Sequence, residues 1–327
     1  MRNIQYNEVA VVVCTFKNRY DILLKHLSSY KPFNVYVVCK EWDYKESGYD
    51  KYDWDDNVHV LFEQNVHNIM ESREWARKEI RKLGYRAMII LDDDIRGEKV
   101  ERIAKEKYRP NSDTYGYVYE PFVELLKELV NRTNEYDASW GSPLFYSNIG
   151  FYYPGKTFVN TTLNYGQFCF VNLEDMERLN IKYDTRDTIH EDADLVFQFL
   201  REGCTCITLG DWAYILTLDK SLSKVSTVGD ENFENFLKVG LYLKWKDYVT
   251  LTAHYRGEVN KNKIGIRTNT KKLFNNKEEL VLNNEYSRGL YKLCEEQMNG
   301  ERDSKKIVEY IRKNKHLKRK KIKDGKN

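Results

Sequence analysis

Proline and glycine are scarce, with 5 Pro and 17 Gly in 327 residues. At 41% hydrophobic and 31% charged, the composition supports a packed core and excludes a mostly disordered chain. Long apolar runs are missing too. No stretch approaches the roughly 20 apolar residues that cross a bilayer. The N-terminal "MRNIQYNEVAVVVCTF" lacks the small-residue cleavage site of a signal peptide and reads as a first β-strand. The expectation is a cytoplasmic protein without a transmembrane segment. Glycine is also absent from "CTFKNRY", directly after that strand, where a nucleotidyltransferase would want a Gly-rich phosphate loop. Cysteines are few and scattered, at 14, 39, 169, 204, 206 and 294. Cys204 and Cys206 form a C-x-C, but no second pair completes a zinc-site spacing, so buried, reduced thiols are expected.

Charge is nearly balanced overall and uneven along the chain. The net value is +3, yet Lys305 to Asn327 hold eleven Lys/Arg against Glu309 and Asp324, a balance of +9. About −6 is left on the preceding 304 residues. A basic tail on an acidic body suggests a polyanionic partner for the tail; a solvated, frayed terminus is the plainer alternative.

Over the first hundred residues the hydrophobic period alternates. "EVAVVVCT" is a continuous β-branched run, as in a parallel strand covered on both faces. "NRYDILLKHLSSY" has helical spacing through Ile22, Leu23, His26 and Leu27. "FNVYVVCK" and "NVHVLFE" read as strands, "NIMESREWARKEIRKLGY" as a helix ended by Gly84, and "RAMIILDDD" as a fourth strand. The inner stripe of that helix is expected at Ile69, Ala76, Ile80 and Leu83. This alternation predicts a doubly wound α/β sheet flanked by helices. Further on come a helix near 120–133, an aromatic strand-like stretch to about 172, a helix at "HEDADLVFQFLREG" and the strand "CTCITL". From about 229 the chain reads as helices and charged linkers. The expected division is a catalytic domain over 1–228 and a helical region over 229–327 ending in the basic tail.

The chemistry is expected at "MIILDDDI", residues 88–95, where an apolar strand ends on Asp92, Asp93 and Asp94. Ligands of an open parallel sheet sit beyond the carboxyl ends of its strands. Adjacent carboxylates there need a neutralising partner, and Asp92-x-Asp94 offers two hard oxygens suited to Mg²⁺ or Mn²⁺. A solvated acidic turn is the plainer reading of D-x-D alone. Three features add weight. Thr15, Lys17, Asn18 and Arg19 leave the first strand at the same edge. Arg73 lies on the inward stripe of its helix, where an unpaired cation is costly. Glu191, Asp192 and Asp194 open an amphipathic helix about 100 residues later.

The order Thr15–Arg19, Arg73, Asp92-x-Asp94 and Glu191-Asp192 resembles the GT-A glycosyltransferases, over roughly residues 9–225. Within them it looks most like the TET-associated glycosyltransferases encoded by DNA viruses of bacteria, which act on hydroxymethylated pyrimidines. The resemblance implies a GT-A-like mixed sheet and a divalent metal, Mn or Mg. It implies a nucleotide-sugar co-substrate, with a UDP-sugar first in line, and a DNA acceptor. Thr15, Arg19, Arg73, Asp92 and Asp93 would line the donor site; Asp92 and Asp94 would hold the metal. Asp192 would be the general base, with Glu191 supporting it or binding acceptor. Such enzymes often supply a late His ligand; "LTLDKSLSKVS" offers Asp219 instead, with His254 a more distant option.

Rival readings keep part of this pattern. A polysaccharide or lipid-linked glycan would change only the acceptor. A haloacid-dehalogenase-like phosphatase would want Thr two residues after the second Asp, where Arg96 stands. A non-catalytic DNA-binding module has no need of two acidic clusters, which repel DNA. The aromatic residues of 145–170, with Trp140, are expected either to stack an extruded base or to form a core layer.

Overall fold

A computed structural model describes residues 3–15, 24–46, 48, 53–103, 117–145, 155–160, 167–186, 190–215, 231–253, 263–274 and 285–314. The first half runs β1 (Val9–Cys14), β2 (Asn34–Cys39), α1 (Glu41–Glu46), β3 (Val58–Phe62), α2 (Ile69–Lys82) and β4 (Ala87–Asp92). There follow β5 (Lys99–Ile103), β6 (Tyr117–Pro121), α3 (Phe122–Glu135), β7 (Trp140–Phe145), β8 (Thr157–Val159) and β9 (Phe168–Asn172). Next come α4 (Leu173–Arg178), α5 (Glu191–Arg201), β10 (Cys206–Tyr214), α6 (Glu231–Lys244), β11 (Val249–Ala253) and β12 (Ile264–Thr268). The last elements are α7 (Thr270–Phe274), α8 (Glu285–Asn299) and α9 (Ser304–Lys313).

Among the described residues ten strands form one sheet in the order β3-β2-β1-β4-β9-β7-β10-β5-β6, with β8 added beside β10. β1 pairs in parallel with both β2 and β4, and β4 meets β9 antiparallel. The chain leaves β1 toward β2 and β3 on one side and returns to β4 on the other. That reversal opens a crevice at the carboxyl ends of β1 and β4, where α/β sheets bind ligands. Cys14 is the register partner of Asp92, so Thr15 and the acidic turn emerge side by side.

All six residues of β1 are buried, as its unbroken apolar run requires. Its side chains alternate between two cores. Ala10, Val12 and Cys14, with Met88 and Ile90 of β4, face the layer that holds α2 and α5. Val9, Val11 and Val13, with Ile89 and Leu91, face α3. The same alternation turns Asp92 toward α2 and α5.

The expected α/β class, mixed sheet and flanking helices are present. Within α2 the buried face runs through Met70, Arg73, Ala76 and Ile80, while Ile69 and Leu83 are 43% and 54% exposed. Both sit at helix ends: Ile69 opens α2 behind the Asn68 cap, and Leu83 is its C-cap, before Gly84 at φ +95°. Residues 24–30 form a 3-10 helix, not an α-helix; residues 16–23 of that expected helix lie outside the described residues. Trp140, Phe168 and Phe170 are core residues. Phe168 stacks on Phe122 at 5.4 Å between centroids, in a ladder continued by Tyr30 and Tyr214. All six cysteines are free and buried.

The C-terminal region adds a hairpin, β11 with β12, to its helices. The alternation in "VTLTA" carries that signal, yet the stretch read as linker. Residues on both sides of position 228 share one apolar cluster, from Val12 through Phe197 to Trp245, Leu290 and Ile307. No described helix is long and apolar enough to cross a membrane.

Candidate active site

The crevice collects its side chains from four elements. At the end of β1, Thr15 donates through Oγ1 to Asp93 Oδ2 at 3.0 Å, and both residues are buried. At the end of β4, Asp92 keeps 27% of its side chain exposed, so it faces the cleft and not the core. Asp94, two residues later, is half-buried. From α2 comes Arg73, 5% exposed. Its Nη2 donates to Asp92 Oδ1 at 2.7 Å and its Nη1 to Glu191 Oε1 at 2.6 Å. From the start of α5 come Glu191 and Asp192, which the helix dipole favours there. Asp192 Oδ1 pairs with Nδ1 of His190 and accepts from Ala193 N at 2.7 Å.

The fold therefore brings together Thr15, Arg73, Asp92, Asp93, Asp94, Glu191 and Asp192. Arg19, Asp219 and the fallback His254 lie outside the described residues. Arg73 was expected to point into the cleft, toward a donor anion or toward these aspartates; its two terminal nitrogens are engaged by the two acidic clusters, which it joins. His190 is the residue that sequence reasoning passed over. Its signal was an imidazole directly before two acids at a helix start. His190, Glu191 and Asp192 are the trio, among the described residues, whose potential ligand atoms lie within 4.8 Å of one another. Tyr183 was missed as well. It is 2% exposed, and its ring oxygen shares the electrostatic environment of Arg73 and Glu191.

Five carboxylates, one guanidinium and one imidazole, with Lys238 of α6 acting on that imidazole, shape the protonation states. Burial pushes Asp92 up to about 7; Arg73 opposes this, while Asp94, Asp93 and Glu191 add to it. Burial disfavours the charge on Arg73, but Asp92 and Glu191 hold it firmly protonated. Glu191 is pushed up by burial against the pull of Arg73. Asp192 goes the other way: burial would raise it, and His190 holds it below the usual carboxylate range. In return Asp192 raises His190 to about 9, so the imidazole is a cation at neutral pH. The two adjacent acids are driven apart, Glu191 upward and Asp192 downward. Surplus negative charge on hard oxygens fits a divalent cation. Arg73 already occupies Asp92 Oδ1, and Thr15 occupies Asp93 Oδ2.

No curated protein matches the chain. Among solved structures it is similar to S. aureus TarS 1–349 in complex with UDP-GlcNAc, at 16% identity and a TM-score of 0.47, over 71% of this chain and 64% of that one. It thus spans under two thirds of that structure. TarS 1–349 in complex with UDP gives 14% identity and a TM-score of 0.43, over 71% and 64% of the two chains. The sequence model of the TET-associated glycosyltransferases matches residues 9–221, the segment that contains β1, α2, β4 and the start of α5, and the chain belongs to that family.

Proposed function

We propose that this glycosyltransferase moves a sugar from a nucleoside-diphosphate sugar to a hydroxymethylated pyrimidine in DNA, with a divalent metal bound at the sheet edge. The observation that carries the reading is the convergence of two acidic clusters, from β4 and α5, on Arg73 at the switch point of the sheet. A plain structural ion pair would need one carboxylate, not five.

Asp192 is the general base in this reading. It is ionised at neutral pH, and among the described residues both of its hydrogen bonds fall on Oδ1. Oδ2 is then the atom that takes the acceptor's hydroxyl proton, at the usual 2.6–3.2 Å approach of a base to its proton source. Glu191, with its raised affinity for protons, binds and orients the acceptor. Thr15 fixes Asp93 and with it the acidic turn below the donor. Arg73 holds the base-bearing helix and the donor-side strand at one spacing. Asp92 and Asp94, with Asp219, would hold Mn²⁺ or Mg²⁺, whose charge would neutralise a departing nucleoside diphosphate.

The DNA acceptor is supported by the family relationship and by the basic C-terminus: residues 315–327 carry seven Lys/Arg and one Asp. A base inside a duplex must leave the stack to reach such a cleft. The test is incubation with Mn²⁺ and a panel of nucleotide sugars, with hydroxymethylpyrimidine DNA, with unmodified DNA, and with glycan acceptors, while released nucleotide is measured. Release stimulated by the modified DNA alone is expected. Stimulation by a glycan alone replaces the acceptor, and no release with any donor refutes the reading.

A further inference from the structure

Three carboxylates open α5, and they do not face the same way. Residues two apart on an α-helix project about 200° apart, so Asp194 points away from Asp192 and out of the cleft. Asp194 is fully buried, against the C-terminal region. Its Oδ1 accepts from Trp245 Nε1 at 2.7 Å; its Oδ2 accepts from Lys244 Nζ at 2.8 Å and Gln198 Nε2 at 2.8 Å. Lys244 is the last residue of α6 and Trp245 follows it. The indole also packs edge-on against Phe197 at 5.7 Å and beneath Arg201 at 5.2 Å. Gln198 carries the network onward by donating to Lys182 O at 2.9 Å. The next residue, Tyr183, donates its N–H to Glu74, the neighbour of Arg73 on α2.

Resting on the glycosyltransferase reading above, we infer that Asp194 is a positioning residue, and that Lys244 and Trp245 act through it to set the rotation of α5 and so the place of Asp192. Apolar packing alone fixes a helix's rotation less sharply, because the hydrophobic term is non-directional. A buried carboxylate saturated by three donors fixes it more sharply. With side chains reaching about 5–6 Å from the helix axis, a 20° turn of α5 moves the Asp192 carboxylate by about 2 Å. A misplacement of about 1 Å is enough to cost on the order of a hundredfold in rate. The C-terminal helices thereby become part of the catalytic apparatus, and α6 also carries Lys238 close enough to act on the charge of His190.

The test uses the full chain with Trp245→Phe, which keeps the ring and loses the donor, Lys244→Met, which loses the cation, and Lys244→Arg, which keeps it. Leu290→Ala in α8 is the control, since Leu290 is buried in the same core but its apolar side chain is not among the donors to Asp194. Turnover, donor KM, thermal unfolding and amide exchange at Ala193 and Asp194 are followed together. Trp245→Phe and Lys244→Met should lower kcat at least about tenfold with donor KM within about twofold, and should speed exchange at both amides. Lys244→Arg should restore most of the rate. Leu290→Ala, at a comparable loss of Tm, should keep kcat. Unchanged kcat in the first two variants, or losses that Leu290→Ala reproduces, overturns the inference. A wild type that turns over no nucleotide sugar refutes the activity reading instead, and the amide exchange then decides the clamp alone.

Discussion

Arg73 donates to Asp92 at 2.7 Å, and the same guanidinium donates to Glu191, 118 residues away in sequence, at 2.6 Å. One residue of α2 thus ties the end of β4 to the start of α5. Without it, two partly buried carboxylates would repel across the crevice. Arg73→Ala should cost roughly 3–5 kcal/mol of unfolding free energy, as removal of one partner from a buried ion pair does. Arg73→Lys should recover little, because one ammonium cannot reproduce the fork that meets two acids at once. Urea unfolding of the three proteins measures this. A loss under about 1 kcal/mol for Arg73→Ala means the pairing is not a structural bridge.

In the proposed scheme Asp192 and Asp94 separate proton transfer from donor binding. Asp192→Asn removes the base and leaves the bonding shape, so donor affinity should persist while transfer falls by about 10²–10⁴-fold. Asp94→Ala should instead weaken Mn²⁺ and nucleotide binding together, with the fold intact. Calorimetric titration of the nucleotide with and without Mn²⁺, beside transfer assays, checks both. Transfer at the wild-type rate by Asp192→Asn would rule it out as base.

Much of this site was legible because chemistry and period coincide in the sequence. The apolar run of β4 stops at its carboxylates, and that junction is the crevice. Arg73 shares a helical stripe with Ala76 and Ile80, so its inward direction could be read. What it meets could not: a guanidinium turned inward suits a phosphate or a carboxylate equally. His190 escaped for a similar reason, since an imidazole before a helix is unremarkable until Asp192 is seen to accept from it. Asp194 was grouped with Glu191 and Asp192 as the acids that open one helix. Its partners Lys244 and Trp245 are fifty residues downstream, and no local pattern announces a contact of that separation. Ile69 and Leu83 matched the helical period but fall at its ends, where the packed face has already run out.

Away from the crevice, Asp211 should make stability depend on pH. Burial pushes it from 3.8 up to about 6, with Arg132 pulling the other way. An acid whose folded pKa lies above its unfolded one loses its proton first in the unfolded chain. Unfolding free energy therefore falls as pH rises from about 4 through 6, and above that the penalty is constant, up to about 3 kcal/mol. Asp211→Asn removes the charge and keeps an acceptor for Gly155 N. The variant should be the more stable protein at pH 8, and the gap should close toward pH 4.5 in parallel denaturation curves. A gap that does not change with pH means Asp211 is not charged at a cost.

The basic C-terminus divides at Asn314. Ile307, Val308 and Ile311 of α9 are buried in the main core, so deletion from residue 305 would strip apolar packing as well as charge. Deletion of 315–327 alone removes seven Lys/Arg and one Asp and leaves α9 whole. That truncation should unfold at the wild-type temperature and hydrolyse donor at the wild-type rate. Its affinity for hydroxymethylated DNA should fall, most at low salt. If each lost cation had neutralised one phosphate, the slope of log K against log salt would flatten by about 0.9 per contact, at most about 6 for seven. Binding isotherms across a salt series read this slope directly. An unchanged slope would mean that the tail does not touch DNA, and the search for an acceptor would turn to glycans.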